Sequence, residues 1–110
     1  SVMGFSICDA TTDETLAIND HFLAMTGHNR ADFDEGRWNW RSFTPPEFLP
    51  QDEEAIRQAK EQGWWQSYEK EYLRQDGTRF PVRISSGPLN GYPGRVVVAI
   101  EDITEEVRAR

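Results

Sequence analysis

Two histidines, one cysteine and a lysine set between two tyrosines are the side chains of this chain best suited to chemistry. His21 and His28 could ligate a metal or a haem, but on one continuous helix seven residues separate them by roughly 10.5 Å at about 1.5 Å per residue. A single metal with ligands at about 2 Å does not bridge that gap. Gly27 also breaks the helix before His28, so both histidines read as surface residues and no metal site is expected. Cys8 stands alone, which excludes an internal disulfide and a thiolate-rich metal site. No nucleophile elbow, P-loop or zinc-protease helix is present. The carboxylates spread along faces expected to be exposed, where they read as solvated surface. Catalysis within these residues is not expected. Lys70 poses a sharper question. On a strand, Trp64, Gln66, Tyr68, Lys70 and Tyr72 share one face while Glu69 and Glu71 point away. A lysine between two inward tyrosines either snorkels to the rim or meets an acidic group of a ligand.

The elements that position these side chains follow from turn chemistry and hydrophobic period. Gly4 to Ala10 and Thr15 to Ile18 read as short strands joined by the polar cluster 11–14. Asn19 or Asp20 caps a helix running through Thr26, and Gly27 ends it. A helical turn is expected over Arg30 to Glu35. Trp38, Trp40 and Phe43 lead into Pro45-Pro46, a rigid corner. A helix then covers Gln51 to Gln62, with Ala55, Ile56 and Ala59 as its apolar stripe. From Trp64 the period changes to two, which predicts strands over Trp64 to Arg74, Arg79 to Ser86 and Arg95 to Glu101. Asp76-Gly77 marks a tight hairpin. The order ββ, helices, βββ predicts an α+β domain with one five-stranded antiparallel sheet and short helices packed on one face.

Composition narrows the partners. The 110 residues suffice for one domain, and 37% hydrophobic against 28% charged content places the chain among globular proteins. A net charge of −7 would repel a phosphate backbone, so nucleic acid is not an expected partner. The longest aliphatic run, Val96 to Ile100, is far too short to span a bilayer, and no signal-peptide pattern is visible before Gly4. A reducing cytoplasm is the expected compartment, and the helix-compatible run 105–110 reads as the start of a connection to further chain.

Four pieces in order carry a family resemblance: Asn19 to Gly27 with Phe22 and Thr26, then Trp40 with Pro45-Pro46-Glu47, then Glu69 to Thr78, then Asp102-Ile103-Thr104. Together they resemble the PAS domain family of sensory modules, over nearly the whole chain. The resemblance implies a PAS-like domain over residues 1–104, with the first strand lying between the second and the last, and a C-terminal connecting helix starting in 105–110. It implies a cytoplasmic sensory module of a signalling protein such as a histidine kinase, acting through a small ligand or a dimer rearrangement. The alternative is a ligand-free dimerisation module. Haem-binding relatives carry their histidine in the helix matching Gln51 to Gln62, and none occurs here. The flavin-dependent branch needs a reactive cysteine in the stretch 36–41, which has none, and its flavin-contacting amides are replaced by Val82 and Ile100. No cofactor is therefore expected.

Within that frame the ligand pocket between helices and sheet is expected from Phe22, Met25, Trp40, Phe43, Ile56, Tyr68, Lys70, Tyr72, Val82, Ile84 and Val98. Trp38 and Trp40 either stack on a planar ligand or fill the core. Asp102 and Thr104 match the family's signal-relay junction, and Thr104 is also expected to cap the following helix. On the last strand Val97 and Ala99 face outward although apolar, where a sheet wetted on one side would show polar residues. With Trp64 and Trp65, of which one must face outward, they predict a partner surface covered by a homodimer or by a helix of flanking chain.

Overall fold

A computed structural model describes residues 3–110; Ser1 and Val2, the first two residues of the expected domain, lie outside them. Strands β1 (Met3–Asp9) and β2 (Glu14–Ile18) open the chain. Helices α1 (Asp20–Met25), α2 (Arg30–Asp34) and α3 (Leu49–Gln62) follow, the last preceded by 3-10 turns at Trp40–Phe43 and Pro46–Phe48. Strands β3 (Tyr68–Leu73), β4 (Arg79–Pro88) and β5 (Arg95–Asp102) form a meander that runs into α4 (Thr104–Arg108). The five strands pair antiparallel in the order β2-β1-β5-β4-β3, so β1 lies between β2 and β5 as the resemblance implied.

The side chains that alternate along the strands sort as the period of two requires. Phe80, Val82 and Ile84 of β4, and Val96, Val98 and Ile100 of β5, are buried beneath the helices. Several element boundaries differ from the expectation, β4 running on to Pro88 instead of Ser86, and two of the differences have a clear physical cause. α3 starts at Leu49 rather than Gln51, because Pro50 fits the first turn of a helix, where its missing N–H is no loss. β3 starts at Tyr68 rather than Trp64. Upstream of it, both main-chain groups of Trp65 are taken by the Ser86 hydroxyl, its N–H donating at 2.9 Å and its C=O accepting at 3.2 Å. Ser67 reaches Ser85 through side chains. This stretch is tied to β4 by hydroxyls instead of by a ladder.

Asn19 joins the first sheet strand to the first helix. Its Oδ1 accepts from the N–H of Phe22 at 3.0 Å, the helix cap, and from the N–H of Phe5 at 2.9 Å; its Nδ2 donates to the Met3 carbonyl at 3.2 Å. The joint is close. A Cβ on Gly4 would sit 2.8 Å from Phe22 Cβ, so only glycine lets α1 lie this near β1. Asn19→Ala removes the cap and both strand contacts, and we expect it to destabilise the domain by about 2–3 kcal/mol, above the ~1 kcal/mol of a cap alone. Urea denaturation measures this, with Asn19→Asp, which keeps the two accepted bonds, expected to lose less than half as much.

Candidate functional site

Between α3 and the inner face of the sheet lies a cavity of about 70 Å³. Its walls are Phe22 of α1, Trp40 of the 3-10 turn, Ile56 of α3, Tyr68, Lys70 and Tyr72 of β3, Ile84 of β4 and Val98 of β5, all expected from the sequence. Met25, Phe43 and Val82, expected with them, do not line it. Met25 stands one turn beyond Phe22 and packs half-buried on the core. Phe43 lies behind Tyr72, edge to face with ring centroids 4.9 Å apart. Val82 is wholly buried within the core itself.

The centre of the site is an ion pair. Lys70 Nζ donates to both carboxylate oxygens of Asp52, at 2.8 and 2.9 Å, and to Thr44 Oγ1 at 3.3 Å. The Tyr68 hydroxyl donates to Asp52 Oδ1 at 2.5 Å. The Lys70 and Asp52 side chains are only 2% and 3% exposed, which leaves no room for snorkelling. The lysine does not stand free for an external acid either. The ammonium also lies over the rings of Tyr72 and Trp40, 4.7 and 4.9 Å from their centroids, where the ring quadrupoles favour a cation. Burial pulls the Lys70 ammonium below the usual lysine range, and Asp52 acts against it. Burial, followed by the negative charge of Asp52, pushes the Tyr68 and Tyr72 phenols well up, so both stay neutral.

Asp52 is the site residue that sequence reasoning missed. The signal was there: Asp52 stands three and four residues before Ala55 and Ile56, on the same helical stripe. An acid on an apolar stripe facing an inward lysine is a pair waiting to be drawn. Trp65 is the second. Named with Trp64 as one of two candidates for the outer face, it is 7% exposed and lines the cavity, because its bonds to the inward Ser86 turn it under α3. Trp64 alone of the two is exposed. Of the other tryptophan pair, Trp38 fills the core, edge to face on Phe22 at 5.2 Å and tilted against Phe43 at 5.4 Å. Cys8 also lines the cavity, its thiol pushed up to about 11 by burial and by the charges of Asp13 and Asp9. His21 and His28 lie away from it, and His28 Nδ1 is 3.2 Å from Asp32.

The junction past β5 is held by a different set of charges. Thr104, expected to cap α4, is instead its first residue, with Ile103 at the cap position and no side-chain cap bond; Asp102 Oδ1 accepts from the Thr104 N–H at 2.9 Å and from its hydroxyl at 2.5 Å. Arg83, on the outer face of β4, bonds Glu101 at 2.8 Å and Glu106 of α4, while Arg110 forks onto Glu69 at 2.6 and 2.8 Å. Beside this charged half, the outer face of β1 and β5 is apolar. Phe5 stands opposite Ala99 and Ile7 opposite Val97, with Phe5 44% exposed and the others half-buried.

These features fit one family, and the PAS domain family matches residues 2–105. The chain belongs to it. The hybrid signal transduction protein dokA of Dictyostelium discoideum is 32% identical over 89 residues, which cover 81% of this chain and 5% of that protein. Among solved structures, the N-terminal domain of a diguanylate cyclase with PAS/PAC sensor from Marinobacter aquaeolei superposes with a TM-score of 0.74 at 15% identity, over 96% of this chain and 99% of that one. A sensory box histidine kinase/response regulator from Burkholderia thailandensis gives 0.71 at 17% identity, over 97% and 81%. The chain is thus a PAS sensory domain of the kind carried by signalling proteins. No helix among the described residues is long and apolar enough to cross a membrane.

The packing of this site sets its response to mutation and to pH. Lys70→Met leaves Asp52 buried without its partner and should cost about 3–5 kcal/mol in urea unfolding, whereas Lys70→Met with Asp52→Leu should regain most of that loss. At alkaline pH the thiol matters. Unfolded Cys8 releases its proton near 9.0 while folded Cys8 holds it to about 11, so stability falls across that window. The raised tyrosines extend the fall upward, and the lowered Lys70 opposes it. Cys8→Ser should flatten the decline between pH 9.0 and about 11 in thermal melts.

Proposed function

We propose that this domain is a cytoplasmic signal-transduction module that regulates a histidine kinase or similar output, with the core cavity as its sensing element. The observation that carries this reading is continuity. Val98 and Ile100 form part of the cavity wall, and the same strand reaches Asp102 and enters α4 without an intervening loop. A molecule that displaces those side chains shifts the strand that feeds the helix. Residues 105–110 then begin the connection to an output domain, and Asp102 with Thr104 is the hinge. The cavity of about 70 Å³ lies below the ~300 Å³ of drug-sized sites, which limits the reading to small ligands.

Exposure of Phe5 beside Ile7, Val97 and Ala99 favours a second reading, in which the outer face dimerises without a ligand. Val97→Lys should then turn a dimer into a monomer in sedimentation velocity, and a wild-type chain monomeric at high concentration ends that reading.

The relay is tested at Arg83, which ties α4 to the sheet. Arg83→Ala should cost less than about 1 kcal/mol of stability, as partly exposed ion pairs do, yet speed amide exchange in α4. With a histidine-kinase core joined after residue 110, it should change the output several-fold. Kinase activity unchanged while α4 is loosened would overturn the relay.

A further inference from the structure

We propose that the cavity receives a small, uncharged, largely apolar molecule with one hydrogen-bond acceptor, and that the Trp65 indole N–H holds that acceptor. The inference rests on the sensing role proposed for the cavity and names the chemical class sensed. Trp65 is 7% exposed, lines the cavity, and its Nε1 has no hydrogen-bond partner among the described residues. Buried polar groups in folded proteins are paired in the great majority of cases. The Trp65 N–H is the exception among the described residues, and it belongs to a residue that lines the cavity.

Four charged side chains line the cavity and each is already committed: Asp13 pairs with Arg41 at 2.5 Å and Asp9 accepts from the Thr11 N–H and hydroxyl. Lys70 uses its donors on both Asp52 oxygens and on Thr44, and Asp52 accepts from Lys70 and Tyr68. An anion would have to displace Asp52 from the lysine, and a cation would have to displace the lysine from Asp52. Either exchange leaves an unpaired charge in the core. A neutral molecule disturbs neither. The remaining wall is dominated by Phe22, Ile56, Ile84, Val98 and Ile100, which suits an apolar body.

Size completes the description. The cavity of about 70 Å³ is several times the roughly 10–15 Å³ that one water requires. It is well short of a site for a nucleotide or a flavin. A molecule of a few heavy atoms, up to a small ring bearing a carbonyl or ether oxygen, matches both limits.

The test is a titration of the uniformly 15N-labelled chain with cyclopentanone, and separately with propionate, followed by 1H–15N spectra. The chain has four tryptophans, so the Trp65 indole signal is assigned by its loss in Trp65→Phe. Millimolar cyclopentanone should move the Trp65 indole proton downfield and saturate, with the indole of Trp64, which stands outside the cavity, unmoved, while propionate leaves both in place. Trp65→Phe should bind cyclopentanone roughly two- to tenfold more weakly, read from the methyls of Ile84 and Val98, as loss of one neutral hydrogen bond requires. If that variant does not fold, the Trp65 indole is assigned from through-space contacts to its own backbone in the wild-type chain, and the wild-type titration decides. A Trp65 signal that ignores cyclopentanone, or follows propionate equally, overturns the proposal. If the signal is indifferent while Arg83→Ala still alters kinase output, the ligand class falls and the relay stands. If the shift saturates while the output stays unresponsive, the ligand class stands and the relay falls.

Discussion

The buried pair of Lys70 and Asp52 is the constraint around which the rest of this domain is arranged. Two opposite charges, each almost out of contact with water, survive in a core only when every lone pair and proton has a partner. Asp52 fixes the rotation of α3, since any other orientation would withdraw the carboxylate from the ammonium. Thr44 fixes the Pro45-Pro46 corner, because its hydroxyl accepts from the same ammonium while donating to the Trp40 carbonyl at 2.9 Å. Tyr68 and Tyr72 fix the face of β3. One lysine thereby sets the relative placement of a helix, a turn and a strand that are far apart in sequence, at separations of 18 and 26 residues.

This pair also separates two electrostatic tasks. Inside, the buried charges of Lys70 and Asp52 are matched to each other. Outside, a chain of carboxylates and arginines runs from Glu69 through Arg83 to Glu106 and Arg110. Exposed pairs of that kind are weak singly, which suits a contact that, in the relay proposed above, releases α4 as well as holds it. The strong pair builds the scaffold; the weak network sits where movement is useful. β5 connects the two, with alternate residues on the cavity side and the outer side.

How far this was legible in the sequence depends on the range of the interaction. Asn19, Gly27, Asp76 and Gly77 announce their elements through local chemistry, and they predict the α1 cap, its end and the β3–β4 hairpin correctly. The period of two sorted Phe80, Val82, Ile84, Val98 and Ile100 onto one face. What periodicity could not supply was a partner across the core. Lys70 was visibly inward, but Asp52 was hidden by its place in a helix whose neighbours are Glu53 and Glu54, so it read as one more solvated acid. Trp65 was lost for a related reason. Its side is set by a side chain, Ser86, bonding to main chain, and no pattern of apolar residues carries that information.

The same distinction bears on what the domain can respond to. Most residues that the sequence points to as a ligand wall are apolar and inward, and a core residue satisfies that description equally well. Phe43 and Val82 were core; Ile56 and Val98 line a void. What separates a binding wall from a packed one is a group whose bonding capacity the fold leaves over. Lys70 looked like that group from the sequence, yet the fold uses it fully. The Trp65 N–H, which the sequence did not single out, is left over. A lysine that is already satisfied makes a poor detector, because any ligand must first undo the scaffold that positions it. The indole donor proposed for the ligand takes part in none of the scaffold's bonds, and the cavity that Trp65 lines together with Val98 leads into the strand that carries Asp102.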